Sequence, residues 1–518
     1  MKATLLTLLF IAIAYCSIAQ IPINAISIED EAFNDYFLNE NNIPIVKGKI
    51  INLEKNNKKK FKVSYSIVTP FEQLQIKKES ELNSDGSFEL KIDNAFPYQQ
   101  IWINIEDLFY TGVYANTDLF IKLDAAILKN KTYFNGPGIK YMGQDGLLNE
   151  YINNNRLFKP DEKSKIDSQI QNNIEAIMSS NDDFIKKNDS LYTLLANIDK
   201  EYIKKNPSKF SWIIENNQET ERVSALCLAH WGKNMPDQLL EKVKLHKPYL
   251  TSNEGILFYK YFFTYLSNAA IRKLLAEKVP YEILPVTIQI IDLLDSLFEP
   301  SKSDFFKIQI SSKDPNEKKL KKETVLPHIK TMWCKKIMQD QYLESVEKLA
   351  TINKILSESK AVDSPNQLGQ PVAEFPFGAK LYKIDSVNPD SLLSNLKKSF
   401  IGKALLIDFW ATWCGPCISE FPYSKKLNDQ SKDLPVEFVY LCTSQGSSLE
   451  KWKSKIAEYK LNGTHIYLEE SIENSLMNLF SSSGFPSYVL IDKNGEYRPG
   501  VAKRPSEMDR DKLTEQIR

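Results

Sequence analysis

Two cysteines separated by two residues close the stretch Phe409-Trp410-Ala411-Thr412-Trp413-Cys414-Gly415-Pro416-Cys417. The apolar run 404–409 predicts a buried strand that leads into them. Residues 418–421 predict the first turns of a helix behind them. A Cys-x-x-Cys pair between a strand and a helix is typical of a dithiol that is reversibly oxidised to a disulfide. We expect this pair to carry the chemistry of the chain.

The order of residues within the pair predicts a role for each cysteine. Pro416 suits the first helical position, because it has no N–H to lose and its φ is preset. That position would place Cys414 at the helix N-terminus, where free amide groups and the helix dipole stabilise a thiolate. Cys417 would follow on the same face. We therefore predict that Cys414 attacks a substrate disulfide and that Cys417 resolves the mixed disulfide.

Three neighbouring side chains are candidates for supporting roles. Asp408 is a carboxylate within an apolar strand, which is costly without a function or a partner. It is a candidate acceptor for the proton of Cys417, and the alternative is a hydrogen-bonded structural carboxylate. Glu420, one turn beyond Cys417, either tunes the thiols or is simply a helix residue. We expect Trp413 to shape the docking surface rather than to take part in the chemistry.

The segment 408–417 resembles the active-site segment of thioredoxin. Together with three flanking motifs it resembles the exported thiol-disulfide reductases of the TlpA/ResA type, over residues from about 366 to 518. The flanking motifs are Gly402-Lys403, Glu420-x-Pro422 and Gly484-Phe485-Pro486-Ser487-Tyr488-Val489-Leu490-Ile491-Asp492.

This resemblance implies a C-terminal α/β thioredoxin-like fold. It also implies that Pro486 is a cis-proline beside the cysteines and that the backbone of Phe485 pairs with an extended substrate segment. Phe485 and Ser487 depart mildly from the residues that the family often has around this proline. The departure leaves the substrate preference open but not the fold.

The chain divides into regions of different periodicity. Residues from about 43 to 135 alternate with period two and predict a β-sandwich-like domain over 24–138. Residues 139–357 show helical spacing and predict an all-α domain. A polar stretch at 358–370 predicts a linker, and 371–518 predicts the thioredoxin-like domain. This order resembles multidomain exported thioredoxin-like proteins with an N-terminal β-domain and a helical middle.

Residues 1–19 have the pattern of a secretory signal peptide, with Ser17-Ile18-Ala19 as a cleavage site. Retention of this segment as a membrane anchor and lipidation of Cys16 are alternatives. We expect an exported protein of the periplasm or cell envelope that is soluble after cleavage. Because Lys and Arg total 66 and Asp and Glu total 66, there is no electrostatic case for nucleic-acid binding.

The other cysteines and the histidines predict no further site. The four histidines show no metal-ligand spacing, so we expect neither a metal nor a cofactor. Cys442 ends a predicted strand and is either a buried structural residue or a third redox thiol. A disulfide between Cys227 and Cys334 is a lesser alternative to two free thiols.

The sequence favours an exported thiol-disulfide oxidoreductase that reduces protein disulfides. The Gly-Pro pair between the cysteines is that of thioredoxin, a strong reductant. Such a reductant in an oxidising compartment would need a membrane-linked electron donor. One alternative is a binding or scaffold protein whose front domains recognise a partner. A thiol peroxidase is disfavoured, because the chain lacks the Pro-x-x-x-Thr-x-x-Cys pattern before Cys414.

Overall fold

The computed structural model describes residues 25–53, 62–72, 75–105, 108–128, 135–175, 182–230, 235–279, 282–312, 314–361, 367–385, 388–482, 484–498 and 502–517. The chain divides into two compact units, Met1–Leu343 and Glu344–Arg518. The predicted signal peptide lies outside the described residues, as do residues 362–366 of the predicted linker. Within the described ranges, no helix combines the length and the apolar character that crossing a membrane requires.

The first unit begins with helix α1 (Glu31–Leu38) and a β-rich region. Its strands are β1 (Ile45–Ile51), β2 (Lys62–Ile67), β3 (Ile76–Glu81), β4 (Ser87–Lys91), β5 (Gln100–Ile105), β6 (Phe109–Tyr114), β7 (Asp118–Asp124) and β8 (Ile139–Met142). They form two four-stranded sheets, in the orders β4-β1-β7-β8 and β3-β2-β5-β6. Because side chains alternate between the two faces of a strand, apolar side chains of both sheets pack together in one buried cluster. This cluster includes Val46, Val63, Ile103 and Leu119.

The β-rich region extends past the expected boundary at residue 138. The glycines of the 135–138 stretch, Gly136 and Gly138, both have positive φ. They form a turn that leads into β8, which pairs antiparallel with β7. These residues therefore belong to the connection into β8 rather than to a domain boundary, because glycine adopts the turn conformation without steric cost.

The middle of the chain is helical. Its helices are α2 (Gly146–Leu157), α3 (Pro160–Glu175), α4 (Asp182–Lys205), α5 (Ser211–Ala229), α6 (Asp237–Leu245), α7 (Asn253–Ala276), α8 (Ile283–Leu297), α9 (Pro300–Lys307), α10 (Pro315–Val325) and α11 (Met332–Ser357). The boundary between the two units falls within α11. The helical core combines aliphatic side chains with a group of aromatic ones, which include Phe258, Tyr259, Phe262, Phe305, Phe306 and Trp333.

Cys227 and Cys334 are free thiols, so the alternative of a disulfide between them is wrong. Both side chains are buried in the helical core. Burial raises the pKa of Cys227 to about 12 and raises that of Cys334 well above its ordinary value. Both thiols are therefore protonated, and they act as small apolar core residues.

The second unit has an α/β fold. Its strands are β9 (Gln370–Glu374), β10 (Lys380–Ile384), β11 (Ala404–Trp410), β12 (Val436–Thr443), β13 (Thr464–Leu468), β14 (Ser487–Ile491) and β15 (Tyr497–Arg498). Its remaining helices are α12 (Pro389–Ser399), α13 (Gly415–Gln430), α14 (Leu449–Tyr459), α15 (Glu470–Leu479) and α16 (Arg510–Gln516). One seven-stranded sheet has the order β15-β14-β11-β12-β13-β10-β9.

Strand β11 lies in the middle of this sheet and is buried along its whole length. It pairs parallel with β12 and antiparallel with β14. The carboxyl ends of parallel strands meet at one edge of a sheet. Helix α13, the loop after β12 and the start of β14 therefore meet at this edge, together with the two cysteines.

Candidate active site

Cys414 and Cys417 form a disulfide, with Cα atoms 5.3 Å apart. Cys414 is the N-cap of α13, and its Sγ accepts a hydrogen bond of 3.2 Å from the backbone N–H of Cys417. Both cysteines are buried. A sulfur at a helix N-terminus that accepts an amide hydrogen bond is in the position where a thiolate is stabilised.

Helix α13 starts one residue earlier than predicted. Gly415 is its first residue and Pro416 its second, so the expected first position of Pro416 is wrong. The second position also has an N–H with no partner inside the helix, so proline is equally tolerated there. Cys414 is therefore still at the helix N-terminus, as its N-cap residue.

Asp408 is a buried carboxyl group in the middle of β11, only 4% exposed. Neither of its oxygens has a hydrogen-bond partner within the described part of the chain. Its neighbours across the two strand ladders are Tyr440 of β12 and Tyr488 of β14. Burial, with the charge of Glu420 as second cause, raises the pKa of Asp408 well above its ordinary value of 3.8.

Glu420 is also buried, but both of its oxygens are bound. Ser506 donates to them from its backbone N–H and from its hydroxyl, at 2.9 Å each. Ser506 lies in a short 3-10 helix, Pro505–Glu507, that packs on α13. The carboxylate therefore ties the C-terminal segment to the active-site helix, and its charge acts on Asp408.

Trp413 is 55% exposed although it directly precedes Cys414. Its Nε1–H donates to the backbone oxygen of Gln445 at 2.7 Å. Its ring meets Phe485 edge to face, with 5.8 Å between ring centroids. The peptide bond between Phe485 and Pro486 is cis, as the resemblance implies. Strand β14 starts two residues after Phe485 and pairs there with the end of β11 that leads to the cysteines.

Cys442 lies near the end of β12, opposite Trp410 of β11 and Tyr467 of β13. It is a free thiol and is fully buried. Burial raises its pKa well above the ordinary value of 9.0. A protonated, inaccessible thiol does not attack disulfides, so these observations favour the structural interpretation.

Comparison with known proteins agrees with this geometry. Residues 375–509 match the model of the Redoxin family. "Thiol-disulfide oxidoreductase ResA" of Geobacillus kaustophilus is 27% identical over 142 residues, which are 26% of this chain and 78% of that protein. The protein of the same name from Bacillus subtilis is 30% identical over 107 residues, 20% of this chain and 53% of that protein.

Residues 375–509 form a Redoxin domain, and its similarity to the two ResA proteins supports a relationship to the TlpA/ResA type. The relatives that match this domain are named thiol-disulfide oxidoreductases. A crystal structure of the thioredoxin domain of a thiol-disulfide oxidoreductase from Bacteroides vulgatus is 24% identical. The aligned region covers 23% of this chain and 84% of the Bacteroides vulgatus chain, with a TM-score of 0.21. The strand order and the sequence relatives support a thioredoxin-like fold for this domain.

The Redoxin domain contains site residues that sequence reasoning missed. Tyr488 has a buried hydroxyl with no partner among the described groups. Burial and the charge of Asp408 raise the pKa of Tyr488. Ser506 binds Glu420, and the loop after β12 binds Trp413. Because side chains two residues apart in a strand lie on the same face, alternation would have placed Tyr488 on the face of Pro486. No sequence signal links Ser506 to Glu420.

Replacing Asp408 by leucine tests the cost of this carboxyl group. Folding raises the pKa of Asp408, so the folded state holds the carboxyl proton more tightly than the unfolded state does. The stability that this proton contributes is fully present below about pH 3.8, the ordinary pKa, and is lost as the pH rises through the folded pKa. We expect Asp408→Leu to raise the free energy of unfolding of the Redoxin domain at neutral pH by about 1–3 kcal/mol. Hydrogen exchange of β11 amides in the full chain measures this, between about pH 5 and 8.

Asp408→Asn is the matched control, since it removes the titration but keeps an unpaired polar group. It should abolish the same pH dependence and increase stability less than leucine does. If the leucine variant has the stability and pH profile of the parent, Asp408 has a partner that lowers its cost.

Replacing Ser506 by alanine tests the tie between the C-terminal segment and α13. The change removes one of the two hydrogen bonds to Glu420, a buried acceptor, and should lower the free energy of unfolding by about 1–2 kcal/mol. Hydrogen exchange of α13 amides measures the loss. Glu507→Ala, an exposed position in the same 3-10 helix, should change stability by less than about 0.5 kcal/mol. Equal effects of both variants would contradict a specific role of Ser506.

Proposed function

We propose that this protein reduces disulfide bonds of exported polypeptides, with Cys414 as nucleophile and Cys417 as resolving thiol. The observation that carries the proposal is the placement of Cys414 as the N-cap of α13, bonded to the N–H of Cys417. The same amide and the helix terminus would stabilise the Cys414 thiolate in the reduced enzyme. The CGPC sequence and the sequence relatives named above support this assignment.

The exchange runs in two steps that balance in electrons and protons. The Cys414 thiolate attacks one sulfur of the substrate disulfide, so that a mixed disulfide forms and the other substrate sulfur leaves as a thiolate. Cys417 then loses its proton and attacks Cys414 Sγ, which releases the second substrate thiolate. The enzyme ends with the Cys414–Cys417 disulfide, and the substrate gains two electrons and two protons.

Asp408 is the proposed acceptor of the Cys417 proton. A carboxyl group with a raised pKa and unpaired oxygens accepts a proton more readily than an ordinary one. Glu420 acts through the pKa of Asp408, since its charge is the second cause of the shift. The backbone at Phe485 and the cis-proline Pro486 is the proposed binding site for the backbone of an extended substrate segment.

The direction of electron flow and the location complete the proposal. The Gly-Pro pair between the cysteines favours a reductant with a potential of about −270 mV. Each turnover leaves the enzyme oxidised, so a reduced dithiol donor must restore it, and a membrane-linked donor suits an exported enzyme. The signal-peptide pattern at 1–19 supports export to the periplasm or cell envelope.

Removing the resolving thiol tests the mechanism. Cys417→Ser stops the reaction after the first step, so mixed disulfides through Cys414 should accumulate and be identified by mass spectrometry. Cys414→Ser should trap none, because the nucleophile is absent. Cys442→Ser is the matched control, since that thiol is buried, and it should behave as the parent does.

Two results would contradict the proposal. Absence of trapped species from Cys417→Ser in cells that contain the substrates would exclude the two-step exchange. A potential near about −120 mV, as for a strong oxidant, would reverse the proposed direction. Equilibration with glutathione measures that potential.

A further inference from the structure

The loop 443–448, which starts with the last residue of β12 and leads to α14, is held by several hydrogen bonds. The Ser444 N–H donates to the end of β13 at 2.7 Å. The Tyr467 hydroxyl donates to the backbone oxygen of Ser447 at 2.5 Å. Ser448 is the N-cap of α14. The loop is therefore anchored to two elements of the second unit, although Gln445 and Gly446 are exposed.

This loop binds the two residues that directly precede Cys414. Ser447 Oγ accepts from the backbone N–H of Thr412 at 3.1 Å and lies 3.0 Å from the Thr412 hydroxyl. The backbone oxygen of Gln445 accepts from Trp413 Nε1 at 2.7 Å. The loop thus fixes both the backbone before the nucleophile and the direction of the indole ring.

Gly446 is required for the close approach of the indole. Its φ is +65°, a conformation that favours glycine. A Cβ at this position would lie 2.9 Å from Trp413 Nε1 and 3.0 Å from Trp413 Cδ1. Any side chain here must displace the indole or the loop, and either shift disturbs the hydrogen bond from Trp413 Nε1 to Gln445.

The indole is held on two sides and still presents surface to solvent. Phe485 contacts it edge to face on the side of the cis-proline, and Gln445 and Gly446 hold it on the other side. An exposed aromatic ring usually loses rotamer freedom when it binds a partner. A ring that is already fixed binds an apolar side chain at a lower entropic cost, which is why rigid aromatics serve as anchors in interfaces.

We propose that Gly446 is a positioning residue for substrate selection. The loop 443–448 holds Trp413 as a fixed apolar surface beside Cys414, and this surface binds the side chain next to the substrate cysteine. The preferred substrates are polypeptide disulfides in which a large apolar or aromatic residue flanks the attacked cysteine. This selectivity rests on the proposed disulfide exchange.

Two peptide disulfides that differ only in the residue flanking the cysteine, Phe or Gly, test the proposal. The full chain is reduced beforehand, and the second-order rate constant for each peptide is measured. The parent should favour the Phe peptide by about tenfold, the size of a good aromatic contact. Gly446→Ala should lose most of this preference. The NMR signal of the Trp413 indole N–H, assigned with Trp413→Phe, should shift in the same variant.

Gly402→Ala is the matched control. Gly402 also has positive φ, +82°, but no described atom beyond its two adjacent residues lies within 4 Å of a Cβ built there. It therefore introduces a similar backbone strain without moving a side chain, and it should keep the parent's preference. Trp413→Phe keeps a ring but loses the donor to Gln445, so it should reduce the preference as Gly446→Ala does.

Three outcomes would overturn the inference. They are an unchanged preference in Gly446→Ala although the indole signal shifts, an equal loss in Gly402→Ala, or, where Gly446→Ala does not fold, an unchanged preference in Trp413→Phe. Failure of the proposed function is distinguishable, since the reduced parent would then react with neither peptide nor with a small aromatic disulfide.

Discussion

The parallel pairing of β11 with β12 is the constraint on which the active-site unit depends. Burial of β11 on both faces fixes its place in the middle of the sheet, and parallel pairing brings the carboxyl ends of both strands to one edge. Helix α13 starts from the first strand and the loop 443–448 from the second. The antiparallel partner β14 begins at the same edge, so three segments distant in sequence surround one disulfide.

The same burial has a cost at Asp408, where a carboxyl group lies between two tyrosines of the neighbouring strands. An unpaired buried carboxyl group destabilises a sheet, whereas a proton acceptor near a dithiol requires this kind of environment. Glu420 differs from Asp408, because Ser506 donates a hydrogen bond to each of its carboxylate oxygens. One carboxylate thus strengthens the fold, and the other is left free to titrate.

Buried charges in the first unit serve structure. Lys302 Nζ donates to the carbonyl oxygens of Lys244 and His246, at 2.6 and 2.7 Å. Lys322 Nζ donates to the carbonyl oxygen of Ile308, and Lys307 pairs with the buried Asp304. Lys302 and Lys322 thus donate hydrogen bonds to carbonyl groups where α6 and α9 end, whereas Lys307 pairs with a carboxylate. A sequence pattern does not reveal the lysine–carbonyl bonds, because each of them joins residues from different elements.

Local patterns were sufficient for the elements and the reactive pair. The apolar run before Cys414, the proline after it and the period-two and helical stretches predicted the central strand, the N-cap cysteine and the order of regions, because strands, caps and periodicity depend on neighbours in sequence. Tertiary structure decided the rest. The turn at Gly136 and Gly138 depends on backbone angles. The hydrogen bond from Ser506 to Glu420 and the contact of Trp413 with the loop 443–448 join residues that are 32 or more positions apart. Sequence spacing does not encode such long-range contacts.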